Sequence, residues 1–248
     1  MRMHFSPDEL AVLRGVVLLA ELTDAEFRQA IRAGRILRKA DGAYFFMEED
    51  VATCAYVVVS GKVKLTQTTI DGQQVIFGYL NPGREFGIIS LLDQGAYPVS
   101  AQAVGDSMAL CWEHTVLNQL MHAQPRIAYN AMHIMARQIK EFQSQVRDLS
   151  TQRVEQRIAR AVLRLARQSG RKTDSGILID LPLTRQDLAE MTGTTLYSVS
   201  RVLTDWEKRG LVQSKRQQVL ILVPHSLVAI AEDLPPTKIN SIPDGSFL

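Results

Sequence analysis

The stretch LTRQDLAEMTGTTLYSVSRVLTDWEKRGLV, residues 183–212, limits the possible folds more than any other, because two short helical patterns meet in it at a glycine. Thr184 can cap a first helix, and Asp187 three residues on completes a box-like start. Leu188, Ala189 and Met191 give that helix its apolar contacts. Gly193 stands where the chain must reverse sharply. Thr194 or Thr195 can cap a second helix, with Val199, Val202, Leu203 and Trp206 on one buried side and Gly210 at its end. The remaining positions near its front carry Leu196, Tyr197, Ser198, Ser200 and Arg201. A helix that only fills a core has no use for that polar group; a helix whose front end touches something polar outside the protein does.

This layout is that of a helix-turn-helix, in which the front of the second helix enters the major groove of DNA. Tyr197, Ser198, Ser200 and Arg201 are thus the expected base-reading residues, Arg being the side chain that meets guanine O6 and N7 bidentately. The following LVQSKRQQVLIL reads as two short strands around a basic tip, and Lys215 and Arg216 form a wing able to touch phosphate. Charge agrees with an acidic partner for this half. Residues 1–150 hold fourteen Lys and Arg against sixteen Asp and Glu, whereas residues 151–248 hold fourteen against ten.

Upstream the texture differs. Residues 7–34 have helical periodicity, with a Ser6-Pro7 start and a Gly34 stop. From Ile36 to Trp112, short runs rich in Val, Ile, Tyr and Phe recur about every ten residues. Asp41-Gly42, Ser60-Gly61, Asp71-Gly72 and Asn81-Pro82-Gly83 punctuate them, which predicts an antiparallel sandwich or small barrel. Asp71-Gly72 suits a hairpin turn. From Thr115 to Ser150 the pattern is helical again, broken at Pro125. Ala128, Met132, Met135, Ile139, Phe142, Val146 and Leu149 alternate in steps of 4 and 3, the narrow stripe of a two-stranded seam. Arg157, Arg160, Arg164 and Arg167 then lie mostly off the apolar face of a further helix, before a loop RKTDSG.

The expected fold class is therefore α+β, in four parts: an antiparallel, jelly-roll-like sandwich (1–114), a long dimerisation helix (115–150), a winged helix-turn-helix (151–234) and a Pro-rich loose tail (235–248). No apolar run reaches the ~20 residues of a membrane span. The opening MRMHFSPDEL has no secretory pattern, so the cytoplasm is the expected location, with no membrane partner. Cys54 and Cys111 each sit in an apolar strand-like stretch and read first as buried thiols; a redox-sensing thiolate at either is the lesser alternative, since neither has an Arg or Lys as an immediate neighbour to lower its pKa. Two cysteines cannot supply the four ligands of an iron–sulfur cluster from one chain.

Sandwich, seam helix and winged helix-turn-helix in this order resemble the cyclic-AMP receptor / fumarate–nitrate reductase regulator (CRP/FNR) family of transcription factors, across residues 10–230. The resemblance is carried by LTRQDLAEMTG, SVSRVL and EKRGLV in one half, and by VVSGKVKL, DGQQVIFGYLNPGREFG and SAQAV in the other. It implies a homodimer on a two-fold symmetric double-stranded DNA operator, with RNA polymerase a candidate further partner. It also implies base-reading positions for Ser200 and Arg201, and places Thr184, Arg185 and Gln186, with the capping Thr195, near phosphate.

Two departures stand out. Family members commonly carry Glu at the position of Tyr197, where it accepts from cytosine; Tyr cannot serve as that carboxylate, so the half-site is expected to differ there. Nucleotide-binding members also have a Gly-Glu start and a later Arg-Ser or Arg-Thr pair. Here the effector segment runs through Phe86 and Gly87, Ile88 stands in place of Glu, and Tyr97-Pro98 replaces the Arg pair. Nothing there pairs with a phosphate charge, so cyclic AMP is not the expected effector. TTLYSVSRVLTDWE and AYPVSAQAV look most like the nitric-oxide-responsive denitrification branch (NnrR/DNR-like), which points to haem as candidate cofactor. His4, His114, His122 and His133 are the candidate axial ligands, with nothing to choose between them.

Two other classes compete. A cupin-like metal enzyme would need several His and carboxylates on neighbouring strands, and no histidine lies between Ile36 and Trp112. Neither a phosphate-binding Gly loop nor a serine elbow is present, so no catalytic residue is expected. An interaction protein of the same fold that has lost DNA binding is the other rival, and Tyr197 is the residue that keeps it open.

Overall fold

The computed structural model describes residues 5–215 and 217–234. His4, Arg216 and the 235–248 tail expected from the sequence lie outside the described residues. The chain divides into two compact units between Asp148 and Leu149.

The first unit opens with α1 (Pro7–Arg14), a 3-10 turn (Val17–Leu19) and α2 (Asp24–Ala33). The single periodic stretch 7–34 is thus two helices. Gly15 ends the first, and Thr23 opens the second through a capping box with Glu26. Strands β1 (Arg35–Lys39), β2 (Tyr44–Phe46), β3 (Cys54–Thr68), β4 (Gln74–Leu80) and β5 (Glu85–Phe86) follow, then α3 (Ile88–Asp93) and β6 (Ser100–Glu113).

The long β3 and β6 pair antiparallel and organise the sheet, whose order is β1-β6-β3-β4, with β2 also on β6 and β5 on β3. Ser60-Gly61 is not the turn its composition suggests. It lies inside β3, where the register against β6 shifts and the ladder bends. Gly61 has φ +73°, and a Cβ there would meet Ser107 Oγ at 2.3 Å and the Asp106 carbonyl at 2.5 Å, so only glycine allows the strands this close.

Side-chain alternation puts the two faces of β3 into two different cores. Cys54, Tyr56 and Val58 face the sandwich interior with Phe45, Phe46, Phe86, Tyr97, Ala109 and Cys111. Ala55, Val57 and Val59 face a second cluster with Leu110, Trp112, Ile88 and the apolar sides of the helices. Both faces of the strand are buried, which is why AYVVV is a continuous apolar run. The Trp112 indole N–H donates to the Ala30 carbonyl (2.8 Å) and ties α2 to β6.

Next come α4 (His114–Ala123) and, starting at Pro125, α5 (Pro125–Thr151). Ile127, Asn130, Ala131 and Ile134 of α5 face inward, and the Asn130 amide donates to the carbonyls of Leu18 and Ala20. The periodic stripe stays outside: Met132, Ile139, Phe142, Val146 and Leu149 are 48–63% exposed, while Met135 is half-buried. Phe142 also meets its own sheet, edge to face with Phe77 at 6.2 Å.

The second unit contains α6 (Val154–Ser169), β7 (Gly170–Thr173), β8 (Gly176–Ile179), α7 (Arg185–Thr192), α8 (Leu196–Lys208), β9 (Val212–Lys215), β10 (Gln218–Ile221) and α9 (Pro224–Ala231). The stretch RKTDSG, read from sequence as a loop, forms most of a hairpin. Strands β7 and β8 pair around it, and β8 joins β10 to make a four-stranded sheet in the order β7-β8-β10-β9. Ile158, Ala159, Val162 and Leu165 of α6 are fully or almost fully buried beside Leu188, Val199, Leu203 and Trp206 of the two following helices.

Candidate nucleic-acid interface

Local chemistry sets both helices of the pair. Thr184 accepts from the Asp187 backbone N–H, and the Asp187 carboxylate accepts from the Thr184 N–H and hydroxyl, a complete capping box for α7. Gly193 follows with φ +58°, the left-handed conformation that lets the chain turn at a helix end. Of the two candidate caps for α8 the structure uses Thr195, whose Oγ1 accepts from the Ser198 N–H at 3.1 Å.

The faces of α8 separate sharply. Val199, Leu203 and Trp206 are completely buried, whereas Tyr197 is 76% and Leu196 48% exposed in the first turn. Arg201 is exposed, and among the described residues it has no ion-pair partner. Ser200 is half-buried beside it. Ser198 is partly committed to the cap, since its hydroxyl lies 3.0 Å from Thr195 Oγ1. Tyr197, Ser200 and Arg201 therefore share the outward front of a helix fixed from behind, and Ser198 serves its geometry.

The candidate phosphate contacts lie on the neighbouring elements: Arg185 and Gln186 on α7, as the resemblance implies, and Lys215 on β9. Gln186 is exposed and donates to Glu190 (2.8 Å). Lys215 is exposed at the end of β9, next to the undescribed Arg216. Arg185 behaves differently from a free phosphate contact: its guanidinium donates to Ser214 Oγ at 3.1 Å and lies 4.0 Å from Glu207. Glu207 in turn accepts from the Ser214 N–H (2.9 Å) and hydroxyl. Arg185, Glu207 and Ser214 thus brace the wing strand against both helices, a role that their separation in sequence conceals. Behind α8, the Trp206 indole donates to Glu155 of α6 (2.9 Å), which also pairs with Arg209 (3.5 Å).

The residues expected to line an effector pocket are not brought together as one. Phe86 and Tyr97 belong to the sandwich interior, where Tyr97 stacks on Phe46 with ring centroids 3.6 Å apart. Ile88, the residue replacing the family's Glu, starts α3 and points into the other cluster, 1% exposed. Gly87 joins them in a left-handed conformation (φ +71°), packed so closely that a Cβ would lie 3.1 Å from the Cys54 carbonyl. Pro98 is at the surface. The reason is the left-handed Gly87 between β5 and the first residue of α3, which breaks the strand alternation that would otherwise put Phe86 and Ile88 on one face.

Both cysteines are buried free thiols, as their apolar surroundings in the sequence suggest. Sequence neighbours offer no cation, but the edge strand on the far side of β6 does: Arg35 Nη2 of β1 donates to Cys54 Sγ at 3.5 Å.

A β-sandwich followed by a long helix and a winged helix-turn-helix with an exposed reading front defines a DNA-binding transcription regulator. The comparisons with known proteins agree. Residues 37–124 match the cyclic nucleotide-binding domain, and residues 156–230 the Crp-like helix-turn-helix domain. The cyclic AMP receptor protein of Thermus thermophilus is 33% identical over 172 residues, 69% of this chain and 76% of that protein. The transcriptional activator protein FnrA of Stutzerimonas stutzeri is 28% identical over 201 residues, 81% of each chain. The structure of FixK2 from Bradyrhizobium japonicum superposes with a TM-score of 0.70 over 79% of this chain and 96% of that one, at 21% identity. The chain belongs to the CRP/FNR family of transcription regulators. No helix among the described residues is long and apolar enough to cross a membrane.

Proposed function

We propose that two copies of this chain pair along α5 and read a two-fold symmetric operator with the fronts of their α8 helices, under the control of a signal other than cyclic AMP. The observation that carries the reading is the division of α8. Its back is completely buried at Val199, Leu203 and Trp206, and its first turns present Tyr197 and Arg201 to solvent. In this reading Arg201 takes guanine, and Tyr197 stands where relatives' carboxylate would select cytosine. Thr184, Gln186 and Lys215 are the phosphate contacts that fix register, and Arg185 acts by holding the wing. The exposed stripe of Met132, Ile139, Val146 and Leu149 supports the pairing, since a helix that merely covered its own sheet would turn these residues inward. RNA polymerase is a proposed partner on family grounds alone.

Against cyclic AMP stand the burial of Ile88 and the engagement of the Tyr97 hydroxyl with the Cys54 main chain. The expectation of nitric oxide sensed through haem rests on the resemblance to the denitrification branch. The side chains present do not fit a haem held within the sandwich. Phe45, Phe46, Tyr56, Phe86 and Tyr97 fill that interior with mutual ring contacts. His114, His122 and His133 stand on α4 and α5 and do not belong to that cluster. An absorption spectrum of the chain mixed with haem, before and after nitric oxide, decides the point: a ligated haem band that shifts with the gas restores the haem reading.

The test of the main proposal is selection from a random duplex pool, followed by sedimentation of the selected complex. Enrichment of an inverted repeat bound by two chains is the expected result. A pool that yields only asymmetric sequence, or none, removes the operator reading.

A further inference from the structure

We propose that Cys54 and Cys111 form a peroxide-reactive dithiol behind the effector segment, and that closing it into a disulfide changes the operator affinity of the regulator. The second half of this statement rests on the DNA-binding reading above; the first does not. Cys54 on β3 faces Glu113 across the ladder and Cys111 on β6 faces Tyr56, so the two cysteines are diagonal neighbours on the same face of the sheet. Both belong to the sandwich-interior cluster, and both are free thiols. Arg35 crosses from the edge strand to donate to Cys54 Sγ, and also reaches Glu113 at 3.7 Å.

The chemistry is asymmetric. A hydrogen bond from Cys111, together with the Arg35 guanidinium and Thr53, holds the Cys54 thiol well below the ordinary range, with burial opposing. Cys111, as the donor in that bond and itself buried, is pushed up. Cys54 is thus the thiolate nucleophile and Cys111 the resolving thiol. Both cysteines are fully buried, and Arg35, whose side chain is 55% exposed, is the group that joins Cys54 to the surface, so the reaction requires hydrogen peroxide to enter beside it.

Hydrogen peroxide is the oxidant. The Cys54 thiolate attacks one peroxide oxygen; the O–O bond breaks, and hydroxide leaves and takes a proton from solvent. Cys54 is then a sulfenic acid. Cys111 sulfur attacks the Cys54 sulfur, the S–O bond breaks, and the departing hydroxide takes the Cys111 proton. Two thiols and one peroxide become one disulfide and two waters, a two-electron oxidation of the protein.

The position gives this step a consequence. The Cys54 N–H donates to the Tyr97 hydroxyl at 3.0 Å, and that hydroxyl donates back to the Cys54 carbonyl at 2.7 Å. The same carbonyl packs on Gly87, the residue from which α3 departs. Drawing Cys54 toward β6 therefore pulls on Tyr97 and Gly87 together, the two ends of the segment where relatives carry their nucleotide contacts.

The experiment treats the full reduced chain with hydrogen peroxide, blocks remaining thiols, and maps peptides by mass. Operator affinity is then measured by fluorescence anisotropy on the selected duplex. The expected product is an intramolecular link between the Cys54 and Cys111 peptides, reversed by dithiothreitol, with a change of about tenfold in affinity. In Cys111→Ser the reaction stops at a Cys54 sulfenic acid trapped by dimedone, and the affinity change is lost. Arg35→Met, a substitution of a half-exposed side chain, slows the reaction, and Arg35→Lys restores part of the rate. Equal labelling of both cysteines with no link, or a link only between chains, overturns the dithiol. A link that leaves affinity unchanged overturns its regulatory role. A reduced chain that selects no operator sinks the DNA reading instead, and the mapped link still decides the dithiol.

Discussion

Glu85 at the start of β5 and Arg137 in the middle of α5 meet at 3.0 Å, with the carboxylate only 1% exposed. The second carboxylate oxygen accepts from the Leu18 N–H at 3.2 Å, so the charge is satisfied from two sides. One residue earlier, Arg84 reaches Glu141, one helical turn further along α5 (3.5 Å). Adjacent residues of opposite sign at the start of β5 thus face adjacent turns of opposite sign on the helix. This fixes the register of α5 on the sheet directly before the Phe86–Ile88 segment.

That relationship gives the first prediction. Arg137→Met leaves the Glu85 carboxylate buried and half-satisfied. Because Arg137 itself is 31% exposed, the loss falls between that of a surface pair and that of a fully buried one, about 2–4 kcal/mol of unfolding free energy. Chemical denaturation followed by circular dichroism measures it. Glu85→Gln in the same chain removes the stranded charge and should recover part of the loss. Arg84→Ala, by contrast, should cost under about 1 kcal/mol.

Base reading is tested at Arg201. Replacing it by Ala removes an exposed guanidinium with no ion-pair partner among the described residues, so stability should hold. Operator binding should weaken by ~1–3 kcal/mol, and preference should relax at one base pair in each half-site. Repeating the selection with the variant measures both. Unaltered sequence preference removes Arg201 from the reading set.

Phosphate contact is tested at Lys215. Its substitution by Ala should weaken all duplexes alike and reduce the slope of log affinity against log salt by about one unit. A loss confined to particular sequences would contradict a phosphate role. Arg185→Ala should behave differently from Lys215→Ala, because it releases the wing strand at Ser214 and frees Glu207. Stability and affinity should fall together.

How much of this was legible in the sequence follows from the range of the interactions. Caps and glycine turns are local, so Thr184, Gly193 and the pair of helices could be read within one window of residues. The stripe on α5 is also local, a matter of spacing along one helix. Three features were not. Ser60-Gly61 looks like a hairpin turn, but its glycine serves close approach to Ser107, on a strand more than forty residues away in sequence. Ile88 and Tyr97 read as one pocket because relatives use those positions together, while the local backbone sends them into different cores. Arg35 beside Cys54 follows from the β1–β6–β3 order, which no spacing rule reveals. The candidate interface was therefore visible early because its parts are contiguous, and the sandwich interior was not because its parts converge from distant strands.

The seam carries the last prediction. Ile139 is 56% exposed at the centre of the α5 stripe, and it lies between Arg137 and Glu141, whose side chains turn to the chain's own sheet. A charge at this position faces mostly solvent in a single chain, but in a paired helix it is buried against apolar residues without a partner, at a cost of several kcal/mol. Ile139→Asp should accordingly leave the fold and its unfolding midpoint little changed while sedimentation shows monomers, and binding to an inverted-repeat operator should fall to the level of a single half-site. Phe142 offers the control, since its ring also rests on Phe77. Phe142→Asp should cost stability as well as pairing. A dimer that survives Ile139→Asp means that the copies meet on a different face, and the reading of the stripe as a seam fails.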